Sequence, residues 1–555
     1  MLVVLLSWIY ISILCTLAGI GILSFAKNIR YSWIHYIVAG IVAITVYVEF
    51  FSIFAKIGCF AHIILLTGAL SIGYLKRQEI RTLWSKYSPV LCSWEGFFYI
   101  CFIIFIAFFT SRGEFHTDTN IYHAAAIRLY EEYGLIKGAG NLQLHYAYNS
   151  SYLAFASIFS LNWLFGRSLH TTTGFMEIIM CLYAFRGLKD FKRHEDHVAD
   201  MMKVGILFYA LVNTTRIMSP ATDYAAMFVV LFVIAEWCDN LHEKENETIF
   251  ALLSLAAVYV TTIKFSACLL VLIAIYPAVC LIKKKKWKEI AGYVLCGCVI
   301  LIPFLVRNYF ISGWLLYPFD GIDIFQAEWK VPRQYMLVDA NQIKVWGRCL
   351  YDVEKTDWPL SKWFPIWWSH QARYERMFLG GTALAAVLQF VIVLKRIIKK
   401  QELRLHMAVL HLAVWGNLIL WFFMAPFIRY GLAFLFAVIM IAAGEYLNEK
   451  KSGFYSILTG GFVFCIFVSV SPYWDQYITD AGVFVKHSLT DPYYILQKDY
   501  DVCEMDSYEI NGNTVYYSVE GEVNSYHVYP ATCYGWMLER STLIGDDIKD
   551  GFMAK

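Results

Sequence analysis

The chain of 555 residues is 59% hydrophobic and only 16% charged, with a mean hydropathy of +0.52 and a formal net charge of +2, against roughly 25% charged for an ordinary globular domain. That balance excludes a soluble globular enzyme. Basic residues confined to short clusters between apolar runs exclude a nucleic-acid-binding surface. Repeated apolar runs, each long enough to cross a hydrocarbon core of about 30 Å, imply an all-α polytopic membrane protein rather than a barrel.

The first run, LVVLLSWIYISILCTLAGIGILSF, begins at residue 2 with no positive flank and ends without a small-residue cleavage pattern, so it reads as a retained span and not a signal peptide. Spans follow the apolar periodicity at 2–24, 32–55, 58–75, 90–110, 168–187, 202–218, 223–240, 248–263, 265–282, 290–306, 377–395, 405–422, 430–446 and 454–471, about fourteen in all. Segment 151–166, SYLAFASIFSLNWLFG, is read as a juxtamembrane or re-entrant helix, because one more crossing would break the alternation. Lys and Arg gather at Lys27/Arg30, Lys76/Arg77/Arg81/Lys86, Lys189/Lys192/Arg193, Lys283–Lys286 with Lys288, Lys395/Arg396/Lys399/Lys400/Arg404 and Lys450/Lys451. Placing all of them in the cytoplasm gives a consistent topology with both termini outside the cell membrane.

A transmembrane domain over 1–471 then carries two outer loops, 111–167 and 307–376, and a tail over 472–555 forms a small extracytoplasmic unit, α+β or β-rich. In the tail, Asn511, Gly512 and Asn513 stand as a turn between β-favouring runs in NGNTVYYSVEG. Most of the 14 cysteines lie in apolar runs, where a small buried hydrophobe is the default; a Cys503–Cys533 bridge stays open.

The first outer loop holds the densest polar stretch of the chain, GEFHTDTNIYHAAAIRLYEEYG, residues 113–134. Its Asn120–Tyr133 part reads as an amphipathic surface helix stopped by Gly134, with Asp118 at its start beside the end of a span. Alone, Asp118 would be a helix cap and Glu114 a solvated acid. Further along, Asp223 in SPATDYAAMFV, Lys264 in TTIKFSACLL, Arg307 in PFLVRNYFISGWLLYPF and Arg429 in MAPFIRYGLAFL are charges set in apolar sequence at the outer ends of spans. Any one of these would be read as snorkelling or structurally paired. Together they converge on one face and point to a single outer-leaflet cleft lined by carboxylates and cations.

These residues resemble the GT-C superfamily of membrane glycosyltransferases. DTNIYHAAAIRLYEEYG looks like that superfamily's first outer loop, in which an acidic residue precedes a helix of DE-x-x-Y type, with Asp118 and Tyr122 on the motif. Arg307, Asn308, Ser312, Gly313, Tyr317 and Pro318 look like its RN-x-x-x-SG-x-x-x-YP pattern, and Arg429 with Tyr430 like its AP-x-x-RY pattern. Thr119 stands where a second acid often sits and YNSSYLAFAS where a Pro-Pro pair is usual, closer to an uncharacterised bacterial branch associated with surface polysaccharides.

The resemblance implies sugar transfer from a polyprenyl-phosphate donor to an acceptor on the outer face, a cell-surface glycan, a lipid or a protein. Such a reaction needs a base for the acceptor hydroxyl and positive charge for the departing phosphate. Asp118 is expected as the base, with Glu114 beside it. Arg307, Arg429 and Lys264 are expected on the phosphate, because a guanidinium makes bidentate charge-assisted bonds and keeps its charge. Asp223, Tyr122, His123, Asn308, Tyr317 and Tyr430 are expected to contact substrate, and the aromatic segment KWFPIWWSHQARY, residues 362–374, is a candidate sugar platform. Glu114, His116, Asp118 and Asp223 offer ligands to a divalent cation such as Mg or Mn, without the spacing of a strong metal motif. Two alternatives share the architecture: a polymerase or ligase acting on lipid-pyrophosphate glycans, and a lipid or glycan flippase, for which Glu49, Glu95 and Glu177 inside spans would speak.

Overall fold

A computed structural model describes every residue except 26–30, 190, 192, 193, 195, 242–246, 399–404 and 450–491. The expected last span at 454–471, the first part of the tail and the basic residues at 27, 30, 192, 193, 399, 400, 404, 450 and 451 lie outside the described residues.

Helices occupy each expected span within the described residues. Eight of them, such as Leu2–Leu23, Trp287–Ser312 and Leu405–Met424, are long and apolar enough to cross a bilayer. Cys59–Leu75 and Arg77–Leu91, bent by 81° against each other, make a ninth if taken as one span. The chain is a multi-pass membrane protein. Fourteen is not reached among the described residues, since the last expected span lies outside them and several inner helices are shorter or carry acids. Thr222–Asp239, for instance, is buried along almost its whole length, so neighbouring helices rather than lipid satisfy Asp223 and Glu236. Ser151–Phe159 has nine residues, all buried, too short to cross and consistent with a juxtamembrane helix.

The first two helices lie close together because Gly19 and Gly40 face each other's backbone: a Cβ on either would overlap the carbonyl oxygen of Tyr36 or Cys15. Small residues let membrane helices approach in this way. The segment from 265 to 274 is a 3-10 helix of ten residues, longer than the three or four residues usual for that conformation. It follows directly on Lys264.

The tail is an α+β unit. Strands β1 (Met505–Ile510) and β2 (Asn513–Ser518) form an antiparallel hairpin in register Ile510 with Asn513, turning through Asn511 and Gly512, both at positive φ. The short β3 (Ala531–Thr532) joins β2 in parallel, and β4 (Ser541–Leu543) pairs with β5 (Phe552–Ala554). Cys503 and Cys533 are free thiols, so the bridge left open by the sequence is not made.

This unit is tied to the same end of the bundle as the first outer loop. The Met1 ammonium donates to the Tyr493 and Leu496 carbonyls, Lys498 N–H donates to Ser111 O, and Asn524 N–H donates to Asn120 O at 2.6 Å. Glu131 anchors the junction from within: its carboxylate accepts from Ser168 Oγ and from Asn162 Nδ2, while Tyr526 of the tail accepts from Ser168 N–H at 2.7 Å.

Gly134 ends the outer-loop helix with φ +80°, and a Cβ there would lie 2.6 Å from Ser52 O and closer still to Ala55 O. Gly134→Ala is therefore expected to destabilise the protein by more than about 1 kcal/mol, since neither the left-handed backbone nor the carbonyls can give way. Thermal unfolding in detergent checks it, with Gly512→Ala, which meets no neighbour, as the milder comparison.

Candidate functional site

The chain leaves the Trp94–Arg112 helix at Gly113 and is pinned at once to the loop before Thr222–Asp239: Glu114 N–H donates to Thr215 O at 3.2 Å, and His116 N–H to Ser219 Oγ at 2.5 Å. Asp118 N–H donates to His116 Nδ1 at 3.1 Å. A π turn over Thr119–His123 follows, and only then the α-helix Ala124–Glu132. Single π turns recur at functional sites, where they re-aim a side chain. The Asp118 side chain makes no capping bond to this helix, so it is not there as a cap.

It faces Arg429 instead. Arg429 Nη2 donates to Asp118 Oδ2 at 2.9 Å, Nη1 meets His116 Nε2 at 2.5 Å, and Nε forms a 3.3 Å ion pair with Asp223 Oδ2. Lys264 Nζ bonds the other oxygen of Asp223 and lies 3.6 Å from the centre of the Tyr430 ring. The first outer loop, the starts of two helices and the turn after Ile263 thus deliver two carboxylates, two cations and an imidazole to one cluster. Asp223 is almost fully buried, whereas Asp118 and Arg429 keep 21% and 32% of their side chains exposed.

The charges set the protonation of the loop. Burial alone would raise the Asp118 carboxyl, but Arg429, then His116, His123 and Lys264, hold it down at about 2. His116 is pushed down to about 4 by burial, against the pull of Asp118, and His123 to about 3 in the same way. At neutral pH the loop carries an ionised aspartate flanked by neutral imidazoles.

A wall of rings adjoins the cluster. Tyr122 is stacked on His145 with centroids 5.2 Å apart and touches His123 at 4.3 Å; burial, then the nearby Asp118 charge, raise its hydroxyl. His123 Nδ1 shares a 3.2 Å hydrogen bond with Thr119 Oγ1, and its Nε2 is buried with no partner. Beyond Tyr122, Tyr148 and Tyr317 both donate to Asp339 Oδ2, at 2.6 and 2.9 Å. Asp339 escaped the sequence reading; the only signal was one acid among the apolar residues of QYMLVDANQIKVW, which the fold buries to 3% exposure.

Other expected residues stand elsewhere. Glu114 is exposed, held by its backbone alone. Arg307 is 2% exposed: its Nη1 donates to Ser52 Oγ at 2.5 Å and to Gly134 O at 3.2 Å, its Nε to Asn149 Oδ1 at 3.2 Å, and its guanidinium lies 4.1 Å from the centre of the Tyr130 ring. It fastens the end of the outer-loop helix to the bundle. Asn308 works beside it, donating to Leu315 O and accepting from Asn149 Nδ2 at 2.8 Å. The aromatic segment 362–374 turns two of its indoles inward: Trp363 and Trp367 are each 2% exposed, and Trp367 Nε1 donates to Pro426 O at 3.0 Å. With Trp421 Nε1, which donates to Phe427 O, this braces the turn that presents Arg429.

Among the described residues no three of His, Cys, Asp and Glu come together to hold a metal ion. Asp118 and Asp223 meet Arg429 and Lys264 instead of each other, so the residues present do not form a divalent-cation site.

Fold and site together define a multi-pass helical membrane protein with an ionic cluster where its helices meet the loop around residues 113–123. The chain belongs to the family described as a domain of unknown function (DUF8201), whose model matches residues 1–436 and so includes the whole cluster. No curated protein and no solved structure matches it.

The depressed Asp118 carboxyl makes a pH test. Its folded value of about 2 lies below the ordinary 3.8, so the ion pair contributes stability above about pH 4 and loses it as pH falls toward 2. The stability advantage of the native protein over Asp118→Asn should be constant near neutrality and shrink below about pH 4. Paired thermal melts between pH 7 and pH 3 would show it.

Proposed function

We propose that this protein is a membrane glycosyltransferase that moves a sugar from a polyprenyl-phosphate donor to an acceptor on the extracytoplasmic side of the cell membrane, a surface glycan or lipid. The observation that carries the reading is the meeting of Asp118 with Arg429, Asp223 and Lys264 at the mouth of an apolar helix bundle. A lipid-linked phosphate arrives at that depth, its tail in the bilayer and its charge among the cations. Extracytoplasmic orientation is supported by the basic residues 76–86 and 283–288, which join helices at their ends remote from the cluster.

In the resting cluster Asp118 is a poor base, because Arg429 holds it ionised and low. An anionic donor phosphate competes for Arg429 and Lys264, and the carboxylate, now closer to a negative neighbour than to its former partner, gains basicity. Asp118 then accepts the proton of the acceptor hydroxyl as that oxygen bonds to the anomeric carbon and the bond from this carbon to the phosphate oxygen breaks. Direct attack inverts the anomeric centre. The cations meet charge that grows on the leaving phosphate, so their interaction strengthens in the transition state. Asp223 holds both cations in place, and Tyr122, Tyr430 and His123 border the space where the sugar would lie. Arg307 and Asn308 serve the scaffold, which leaves the phosphate to Arg429 and Lys264.

Asp118→Asn should lower transfer by roughly 10² to 10⁴-fold with donor binding kept or tightened, since Asn loses the proton acceptor and loosens the hold on Arg429. Arg429→Ala should weaken donor binding and turnover together, and Arg307→Ala should reduce folded yield without a donor-specific defect. Polyprenyl-phosphate-sugar binding and single-turnover transfer measured on the three variants decide it. Near-normal transfer by Asp118→Asn would remove Asp118 from the mechanism and favour the polymerase or flippase alternative.

A further inference from the structure

At the far end of the outer-loop helix from Asp118 lies a cavity of about 390 Å³, formed between that helix and the tail. Its helix side is Arg128, Glu132 and Tyr133, and its tail side Tyr516, His527 and Tyr529. Tyr133 and Tyr529 stand with ring centroids 5.8 Å apart and tilted by 43°, packed against each other in its wall. Arg128 is fixed in place by a 2.8 Å ion pair with Glu132, a 3.3 Å hydrogen bond to the Tyr526 hydroxyl and its position over the Tyr526 ring.

We infer that this cavity is a saccharide subsite for the acceptor, and that the acceptor is a glycan chain rather than a lipid or a single sugar; the inference rests on the glycosyltransferase reading above. Three features carry it. Tyrosine rings offer flat apolar faces with a polar edge, the combination that suits the CH face and hydroxyl rim of a pyranose. The guanidinium and carboxylate present planar donors and acceptors side by side, matched to neighbouring hydroxyls, while their mutual pairing leaves no net charge that would call for an anion. The volume is at the lower end of ligand pockets, of roughly 300 to 1,000 Å³, room for a short piece of a chain.

Position supplies the substrate class. Asp118 precedes the first turn of the helix, and Arg128 to Tyr133 close its last turns, so the cavity lies roughly 15 to 20 Å from Asp118 at about 1.5 Å per residue. Several linked pyranose rings span that distance and one sugar does not. The tail follows the helix between the two points, with Asn120 Nδ2 donating to Asp501 Oδ2 at 3.0 Å and Asn524 N–H donating to Asn120 O. A chain seated in the cavity could place its growing end at Asp118.

The test uses the full-length protein in lipid nanodiscs and a mono- to octasaccharide ladder released by mild acid from the producing cell's own surface polysaccharide. Binding is read by saturation-transfer NMR and acceptor use by KM. Affinity is expected to rise steeply with length once the chain reaches the cavity. Tyr516→Ala, at a half-exposed strand position, should weaken binding of the longer oligosaccharides roughly tenfold, about 1.4 kcal/mol, with use of the monosaccharide and binding of polyprenyl-phosphate sugar unchanged. Tyr529→Ala should do the same, and equal thermal midpoints exclude misfolding as the cause. Absence of binding along the whole ladder, binding without dependence on length, or length-dependent binding untouched by Tyr516→Ala would overturn the inference. Length-dependent binding lost in Tyr516→Ala by a protein that binds no polyprenyl-phosphate sugar would keep the cavity and overturn the glycosyltransferase reading instead.

Discussion

Mutual neutralisation of charge at the edge of an apolar bundle is the constraint around which this protein is organised. Two aspartates, an arginine and a lysine occupy positions where each alone would pay heavily for leaving water. Asp223 sits favourably in the first turn of its helix, where the dipole welcomes an anion. Arg429 occupies the corresponding turn of Ile428–Glu449, where the same dipole opposes it. Contact with both carboxylates offsets that opposition.

Such a cluster needs rigid surroundings, and the fold provides them from three directions. The loop carrying His116 and Asp118 is fastened by backbone bonds to residues 215 and 219. The turn carrying Arg429 is braced by indole N–H groups from Trp367 and Trp421. The far end of the outer-loop helix is held by Arg307 through Ser52, Gly134 and Asn149. The backbone around the charges is therefore held in place from every side.

The same helix links the cluster to the tail. Glu131 and Arg128 on its outer half bond residues of the 160–168 turn and Tyr526, while Asn120 on its first turn bonds Asp501. One element thus spans from the ionic cluster to the cavity shared with the tail.

Much of this was legible in the sequence. Apolar runs marked the helices because hydrocarbon admits little else, and a charge inside such a run is rare enough to stand out, which singled out Asp223, Lys264 and Arg429, while Asp118 stood in the dense polar stretch after a span. The Asn511–Gly512 turn was readable because few residues accept positive φ. What sequence could not distinguish was a charge that faces a ligand from one that faces a backbone carbonyl: Arg307 has the same local pattern as Arg429, and only the packing of Ser52, Gly134 and Asn149 around it makes it structural. In the same way Trp363 and Trp367 looked like an aromatic platform until the fold turned them inward, and Asp339 gave no signal until two tyrosines closed on it. Composition and periodicity are local properties and report which residues belong in lipid. Partners hundreds of residues apart, such as Asp118 and Arg429, are chosen by the way the helices pack, and that is settled only in three dimensions.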